Sequence, residues 1–219
     1  MTINIHKKSA EFKVSSPKEI GLLIEILNGK IFLKTRQVQL DGWCKNYISK
    51  TQAILELKPH TFKPSLKDGW LAGLFDATGC VKMNVSTHSP NKSFSITQCL
   101  TMYQKDAEAE FKYLSKITNG KPIFFRAEGG KKMGCYYRVV VDYSGAGPIV
   151  EYFTRYKLYT IKAKSMEKWL AIYNSRITNR FDANTVGYSL AKRNAAFINF
   201  NTKLLNVRHY SQLHKISCS

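Results

Sequence analysis

The stretch Gly69-Trp70-Leu71-Ala72-Gly73-Leu74-Phe75-Asp76-Ala77-Thr78-Gly79-Cys80 reads as a short helix running straight into a strand, Val81 to His88. Leu71, Leu74 and Phe75 recur at helical spacing and form one apolar stripe. Ala72, Gly73 and Ala77 keep the remaining surface thin, which lets a second helix backbone approach closely. A helical glycine costs about 1 kcal/mol relative to alanine, so its presence predicts close packing here. Leu71, Ala72, Gly73, Phe75, Asp76 and Ala77 are therefore the expected helix-packing interface. Gly79 falls where the chain must turn sharply out of the helix.

The formal charge of +19, from 34 Lys and Arg against 15 Asp and Glu, points to a polyanionic partner, most simply nucleic acid. A hydrophobic content of 44% with 12% aromatics argues for a folded chain, and 219 residues can bury a sizeable core in one or two domains. No apolar run approaches the roughly 20 residues of a membrane span, and Met1 to Lys8 leads into polar sequence rather than a secretory signal. Cys44, Cys80, Cys99, Cys135 and Cys218 form no CxxC pair and read as reduced, mostly buried thiols of an intracellular protein. The histidines form no HxxxH array, which argues against zinc.

Four segments emerge along the chain. Residues 1–58 open with alternation at Ile3, Ile5, Phe12 and Val14, as in a half-buried strand. Ser16-Pro17-Lys18-Glu19 then starts a helix that Asn28-Gly29-Lys30 ends, and a second helix is expected over 36–48. Residues 59–69, with Pro59 and Pro64, are a linker. Residues 70–174 hold the opening helix, strands at 81–88 and 94–101 about a loop at 89–92, and a helix at 105–117. A hairpin of 122–127 and 136–143 about residues 129–132 follows, then helices at 148–156 and 165–174. Residues 175–219 are a basic extension in which Arg176, Arg180, Lys192, Arg193, Lys203, Arg208 and Lys215 face only Asp182. Tyr188, Phe197, Phe200 and Tyr210 are interleaved, so the tail can contact phosphates and stack on bases, or pack its aromatics on the domain.

Leu71 to Gly79, LAGLFDATG, resembles the signature of the LAGLIDADG homing endonucleases and intron maturases, departing from it only at Phe75 and Thr78. The resemblance spans about residues 4–175. It implies an α/β (α+β) fold of LAGLIDADG-like repeats: saddle-shaped antiparallel sheets flanked by helices, the concave face lying on nucleic acid. Residues 1–58 match the later part of a first repeat whose motif helix and first strands are not present before Met1. Gln98 and Lys162 match polar and basic positions of the family. Strand alternation puts Lys82, Asn84 and Ser86 on one face. With Gln98, Arg126, Arg138 and Lys162, and with Arg176, Lys192 and Arg193 from the tail, they are the candidate nucleic-acid contacts.

In the endonucleases the acid at the eighth motif position holds the divalent metal at the scissile phosphates. Here that position is Thr78, and a neutral hydroxyl is a poor metal ligand beside a carboxylate. Asp76 stands at a position that is structural in the family. The resemblance thus implies a scaffold that has lost cleavage, with no catalytic residue and no cofactor. The expected role is a non-catalytic RNA-binding protein, either a maturase-like factor or a structural component of an organellar ribonucleoprotein such as the mitochondrial ribosome. The alternative is a DNA homing endonuclease using Mg²⁺ with a separately encoded first-half fragment. Either that fragment, another protein or RNA is expected to cover the Leu and Phe stripe.

Overall fold

The computed structural model describes residues 2–6, 9–88, 93–127, 134–178 and 188–202. The chain divides into two compact units, Met1–Pro64 and Ser65–Ser219, and the division falls among the prolines of the 59–69 stretch.

The first unit contains β1 (Thr2–His6), β2 (Ser9–Lys13), α1 (Pro17–Leu27) and α2 (Lys34–Thr51). The two strands pair antiparallel, with Ile3 opposite Phe12. The alternation in this stretch produces a hairpin rather than a half-buried strand: Ile3, Ile5 and Phe12 are 69%, 84% and 58% exposed. A two-stranded ribbon supplies no second layer of its own to bury an apolar face. Ser16 caps α1 by accepting from the Glu19 amide at 3.3 Å, and Pro17 occupies the first turn. The helix leaves through Gly29 at φ +77, a conformation that glycine adopts without strain. Asn28 then straps the following chain to this helix end, donating to the Glu56 carbonyl at 2.8 Å and accepting from the Lys58 amide at 2.9 Å. Ile24, Leu40 and Cys44 form the core, with Ile20, Leu27, Ile31, Tyr47 and Leu55 packed around them.

The second unit contains α3 (Trp70–Thr78), β3 (Cys80–His88), β4 (Ser93–Lys105), α4 (Glu108–Ile117), β5 (Lys121–Ala127), β6 (Gly134–Asp142), α5 (Gly147–Arg155) and α6 (Lys162–Ile177). A further helix, α7, spans 188–202. The antiparallel sheet has the order β3-β4-β6-β5. β4 runs past the expected 101 to Lys105 because it is shared: residues 93–101 pair with β3 and residues 99–105 with β6. That pairing keeps residues 105–107 out of α4. The loop expected at 89–92, the hairpin loop at 129–132 and the chain after 202 lie outside the described residues.

One sheet face is apolar. Val81, Met83, Leu100, Met102, Val139 and Val141 are buried there, where α4 packs on β6 and β5, α6 on β3 and α3 on β4. Phe111, Leu114, Trp169 and Ile172 complete the core from the helices. The Leu71, Leu74 and Phe75 stripe also turns inward. All three are buried within this unit, and the Phe75 ring meets Phe153 of α5 edge-on at 5.0 Å. The stripe expected to take its cover from a partner is therefore core within the unit, where Phe153 of α5 meets Phe75.

Gly79 differs from expectation in its reason. Its φ is −74, ordinary extended backbone. A Cβ there would stand 2.6 Å from the Phe75 carbonyl oxygen and run into the Phe75 ring. Close approach, not backbone handedness, is what this glycine supplies.

Candidate nucleic-acid interface

The two ends of α3 are held differently. At its start, Asp68 accepts from the Ser65 amide at 2.7 Å and from the Trp70 amide at 3.0 Å. The Tyr152 hydroxyl accepts from the Ala72 amide at 2.9 Å and donates to the Asp68 carbonyl at 2.8 Å. Burial pushes the Tyr152 hydroxyl up to about 12. Neither partner shows in the sequence, since Asp68 reads as linker and Tyr152 as one aromatic of the short helix expected at 148–156.

At the end of α3, Lys162 Nζ donates to the carbonyls of Phe75 at 3.1 Å and Asp76 at 2.7 Å. It closes the last turn and places a cation at the negative end of the helix dipole. Burial pushes its ammonium below the usual lysine range, against the pull of Asp76. Lys162 is 6% exposed, so the expected surface contact is instead a buried cap. The Asp76 carboxylate is also committed: it accepts from the Tyr159 amide at 2.8 Å, and from the Thr160 amide at 3.3 Å and hydroxyl at 2.6 Å. Thr78 donates its hydroxyl back to the Leu74 carbonyl at 3.2 Å. A cavity of about 90 Å³ beside this helix end is lined by Asp76, Cys80, Tyr103, Lys162 and Thr202 among others.

Of the expected helix-packing residues, Leu71, Ala72 and Phe75 are buried in the unit, and Asp76 anchors the loop before α6. Gly73 and Ala77, one turn apart, remain exposed, and nothing lies within 4 Å of a Cβ built on Gly73.

The sheet face opposite the core is polar along β3. Lys82, Asn84 and Ser86 are exposed and pair with Cys99, Thr97 and Ser95. Residues opposite one another in an antiparallel ladder share a face, so this row continues across β4, and Ser86 and Ser95 join hydroxyls at 2.7 Å. Arg138, opposite Tyr103 in the β4–β6 ladder, belongs to the same face, as does Asp142 opposite Cys99. Hydrogen bonds from Ser144, Lys121 and the Gly145 amide hold the Asp142 carboxyl below its usual range. The Cys99 thiol on this face is pushed up by burial, against the pull of Lys82.

Gln98 is not on that face. It pairs with buried Met83 and is 1% exposed. Its amide donates to the Trp169 carbonyl at 2.9 Å and accepts from Arg176 at 3.0 Å. Arg176 in turn lies over the Tyr143 ring at 3.7 Å. Gln98 thus joins sheet to helix, and Arg176 is largely spent on packing. Arg126 lies in β5 opposite Cys135.

The tail packs on the domain through one side of α7. Ala191, Asn194, Ala195, Ile198 and Asn201 are buried. Asn201 donates to Ser165 at 3.1 Å, and Thr202 reaches the Val81 carbonyl on the edge strand at 3.3 Å. Lys192 and Arg193 are exposed on the same helix. Cys44 is buried, whereas Cys80, Cys99 and Cys135 are half-buried, so the thiols are less enclosed than expected; all four are free. No helix among the described residues is long and apolar enough to cross a membrane.

Residues 71–173 match the LAGLIDADG endonuclease family. That segment is LAGLIDADG-like. The chain is 30% identical over 162 residues to a probable intron-encoded endonuclease 4 of Neurospora crassa, covering 74% of this chain but only 29% of that relative. The fold is also that of the LAGLIDADG meganuclease I-AabMI, solved bound to uncleaved DNA. The TM-score is 0.68 at 14% identity, over 89% of this chain and 80% of that one. The mixed helix and antiparallel-sheet architecture is thus the LAGLIDADG fold, and α3 is its motif helix.

The residues at the end of this motif helix do not fit the divalent metal of an endonuclease. Hard cations take free oxygen ligands, carboxylates above all. Here Thr78 is bonded to its own helix, the Asp76 oxygens carry amide and hydroxyl donors, and the Lys162 ammonium sits on the carbonyls of the same helix end. Among the described residues, no three of His, Cys, Asp and Glu come together as a metal cluster.

Proposed function

We propose that this LAGLIDADG chain binds nucleic acid on the open face of β3, β4 and β6 without cleaving it. Structured RNA is its preferred ligand. It serves as a maturase-like factor or as a structural component of an organellar, most simply mitochondrial, ribonucleoprotein particle such as the ribosome. The observation that carries the non-catalytic part is the chemistry at the end of α3, where Thr78 replaces a carboxylate and turns its hydroxyl onto Leu74. The exposed row of Lys82, Asn84 and Ser86, with Arg138 on the same face, supports the binding part. Cations there meet phosphates and release counterions, while amides and hydroxyls meet sugar and base edges.

The test is retention of matched RNA and DNA, single-stranded and duplex, at several salt concentrations with Mg²⁺ present, the products being run on a denaturing gel. Intact RNA held more tightly than DNA supports the reading. Metal-dependent strand breaks by the unmodified chain would end it.

The competing reading is a DNA endonuclease completed by a separately encoded half. It draws support from I-AabMI, which is seen bound to uncleaved DNA, and from the exposed Gly73 and Ala77, small enough to admit a second helix. Thr78→Asp mixed with such a half should then nick DNA in Mg²⁺, and a mixture that stays inert removes that reading.

A further inference from the structure

We infer that the outer face of α7 is a second nucleic-acid contact, a strip for unpaired RNA that lies beyond the sheet. This rests on the nucleic-acid reading above and extends it to an element outside the matched segment 71–173.

The structure sorts the aromatics of this helix by what they touch. Tyr188 meets the Phe94 ring edge-on at 5.1 Å, and Phe197 lies beneath Lys168 Nζ at 4.8 Å. Both are occupied within the domain. Phe200 is 60% exposed, although it follows the fully buried Ile198 by only two residues. A phenylalanine more than half exposed leaves most of its ring outside the packing of α7, and burying it would remove apolar area from water.

The cations of α7 point the same way. Arg193, Ala196 and Phe200 are exposed at spacings of three and four residues and so share one helix face, and exposed Lys192 adjoins it. At 1.5 Å per residue, Arg193 and Phe200 stand about 10 Å apart along the helix. The helix from 188 to 202 contains no acidic residue, so its own sequence sets no carboxylate against the Lys192 and Arg193 charges beside the aromatic platform. Guanidinium and ammonium groups fit phosphates, and an open phenyl face fits a base that is not already stacked in a duplex. Charge complementarity with the platform selects a single strand, and the RNA preference proposed above makes single-stranded RNA the occupant.

The position is fixed, not trailing. Asn199, one residue before Phe200, donates to Asn84 of the open sheet face at 3.4 Å, and Thr202 meets Val81. A strand leaving the sheet across Asn84 would therefore meet α7 directly.

The experiment compares wild type, Phe200→Leu, Phe200→Trp and the double variant Lys192→Gln/Arg193→Gln, all at exposed positions. The probes are an unstructured 12-nucleotide RNA, the same RNA annealed to its complement, and the matching DNA strand. Phe200→Leu keeps apolar area but loses the stacking face, and should weaken single-stranded RNA about tenfold. Phe200→Trp should restore binding, and the duplex should be indifferent to both. The double variant should reduce the slope of log affinity against log salt by about 1.4 on the single strand. Wild-type binding that Phe200→Leu leaves unchanged, or weakens equally on the duplex, overturns this inference alone. So does an effect confined to the DNA strand. A wild-type protein that holds no probe overturns it together with the reading beneath it.

Discussion

The Lys162 ammonium stands 2.7 Å from the Asp76 carbonyl oxygen, while the Asp76 carboxylate reaches the Tyr159 amide at 2.8 Å in the loop before α6. One residue of the motif helix is thus gripped from both sides by the segment that carries Lys162. Lys162→Met keeps the apolar stem and leaves the Phe75 and Asp76 carbonyls without their donor. Removing a charged donor from buried acceptors costs about 2–3 kcal/mol. Urea unfolding should register that loss, and an unchanged midpoint would mean that the cap adds nothing.

Tyr152 links α5 to the start of α3, and its alkaline behaviour is specific. Its pKa rises from the ordinary tyrosine value of 10.0 to about 12 in the fold, chiefly through burial. The unfolded chain therefore ionises first. Stability from this group is fully present below pH 10 and is lost as pH climbs through 10 toward 12, by about 2–3 kcal/mol. Tyr152→Phe should be less stable at neutral pH through loss of the Ala72 and Asp68 bonds, and its stability should fall less steeply over that alkaline window. Parallel curves for the two proteins would contradict the assignment.

The two glycines of the motif respond oppositely to the same change. Gly73→Ala meets open space and removes a weak helix former, so it should raise stability by about 0.5–1 kcal/mol. Gly79→Ala drives a methyl group into Phe75 at a buried position, and should lower the melting temperature or abolish soluble expression. Thermal melts of the two variants side by side provide the comparison.

Gln98 and Lys82 separate architecture from binding. Gln98→Ala leaves the Trp169 carbonyl and the Arg176 guanidinium without their shared partner, costing about 1–3 kcal/mol, with no change in the salt slope of nucleic-acid binding. Lys82→Gln should leave stability within about 0.5 kcal/mol and reduce that slope by about 0.7 on a single strand. A slope change in Gln98→Ala but not in Lys82→Gln would reverse the assignment of the two faces.

The fold is legible in the sequence because local signals agree. The Leu71, Leu74 and Phe75 spacing, the Ser16 cap and the alternation through Val81–His88 each coincide with an observed element. What the sequence does not show is the destination of each surface. Alternation distinguishes the two faces of β4 without saying which one α6 covers, so it leaves Gln98 on the outside although the residue lies beneath Trp169. Lys162 reads as a surface nucleic-acid contact because a lysine side chain carries no mark of the carbonyls it will meet 86 and 87 residues away in sequence. The apolar stripe of α3 shows that something must cover it, but not that the cover is Phe153 in the same unit. Long-range partners decide burial, and a period reports only which side chains travel together.

The shared strand β4 also sets an order of events during synthesis. Residues 93–101 can zip onto β3 as soon as both have left the exit tunnel, since the two strands are near neighbours in sequence. Residues 99–105 must wait for β6, whose last residue is Asp142. In that interval the nascent chain displays a strand edge with unpaired amides and carbonyls, the kind of surface that recruits a neighbouring polypeptide. Slowing translation between 105 and 142 should lengthen that exposure, and synonymous slow codons placed in that stretch of the message should lower the soluble yield.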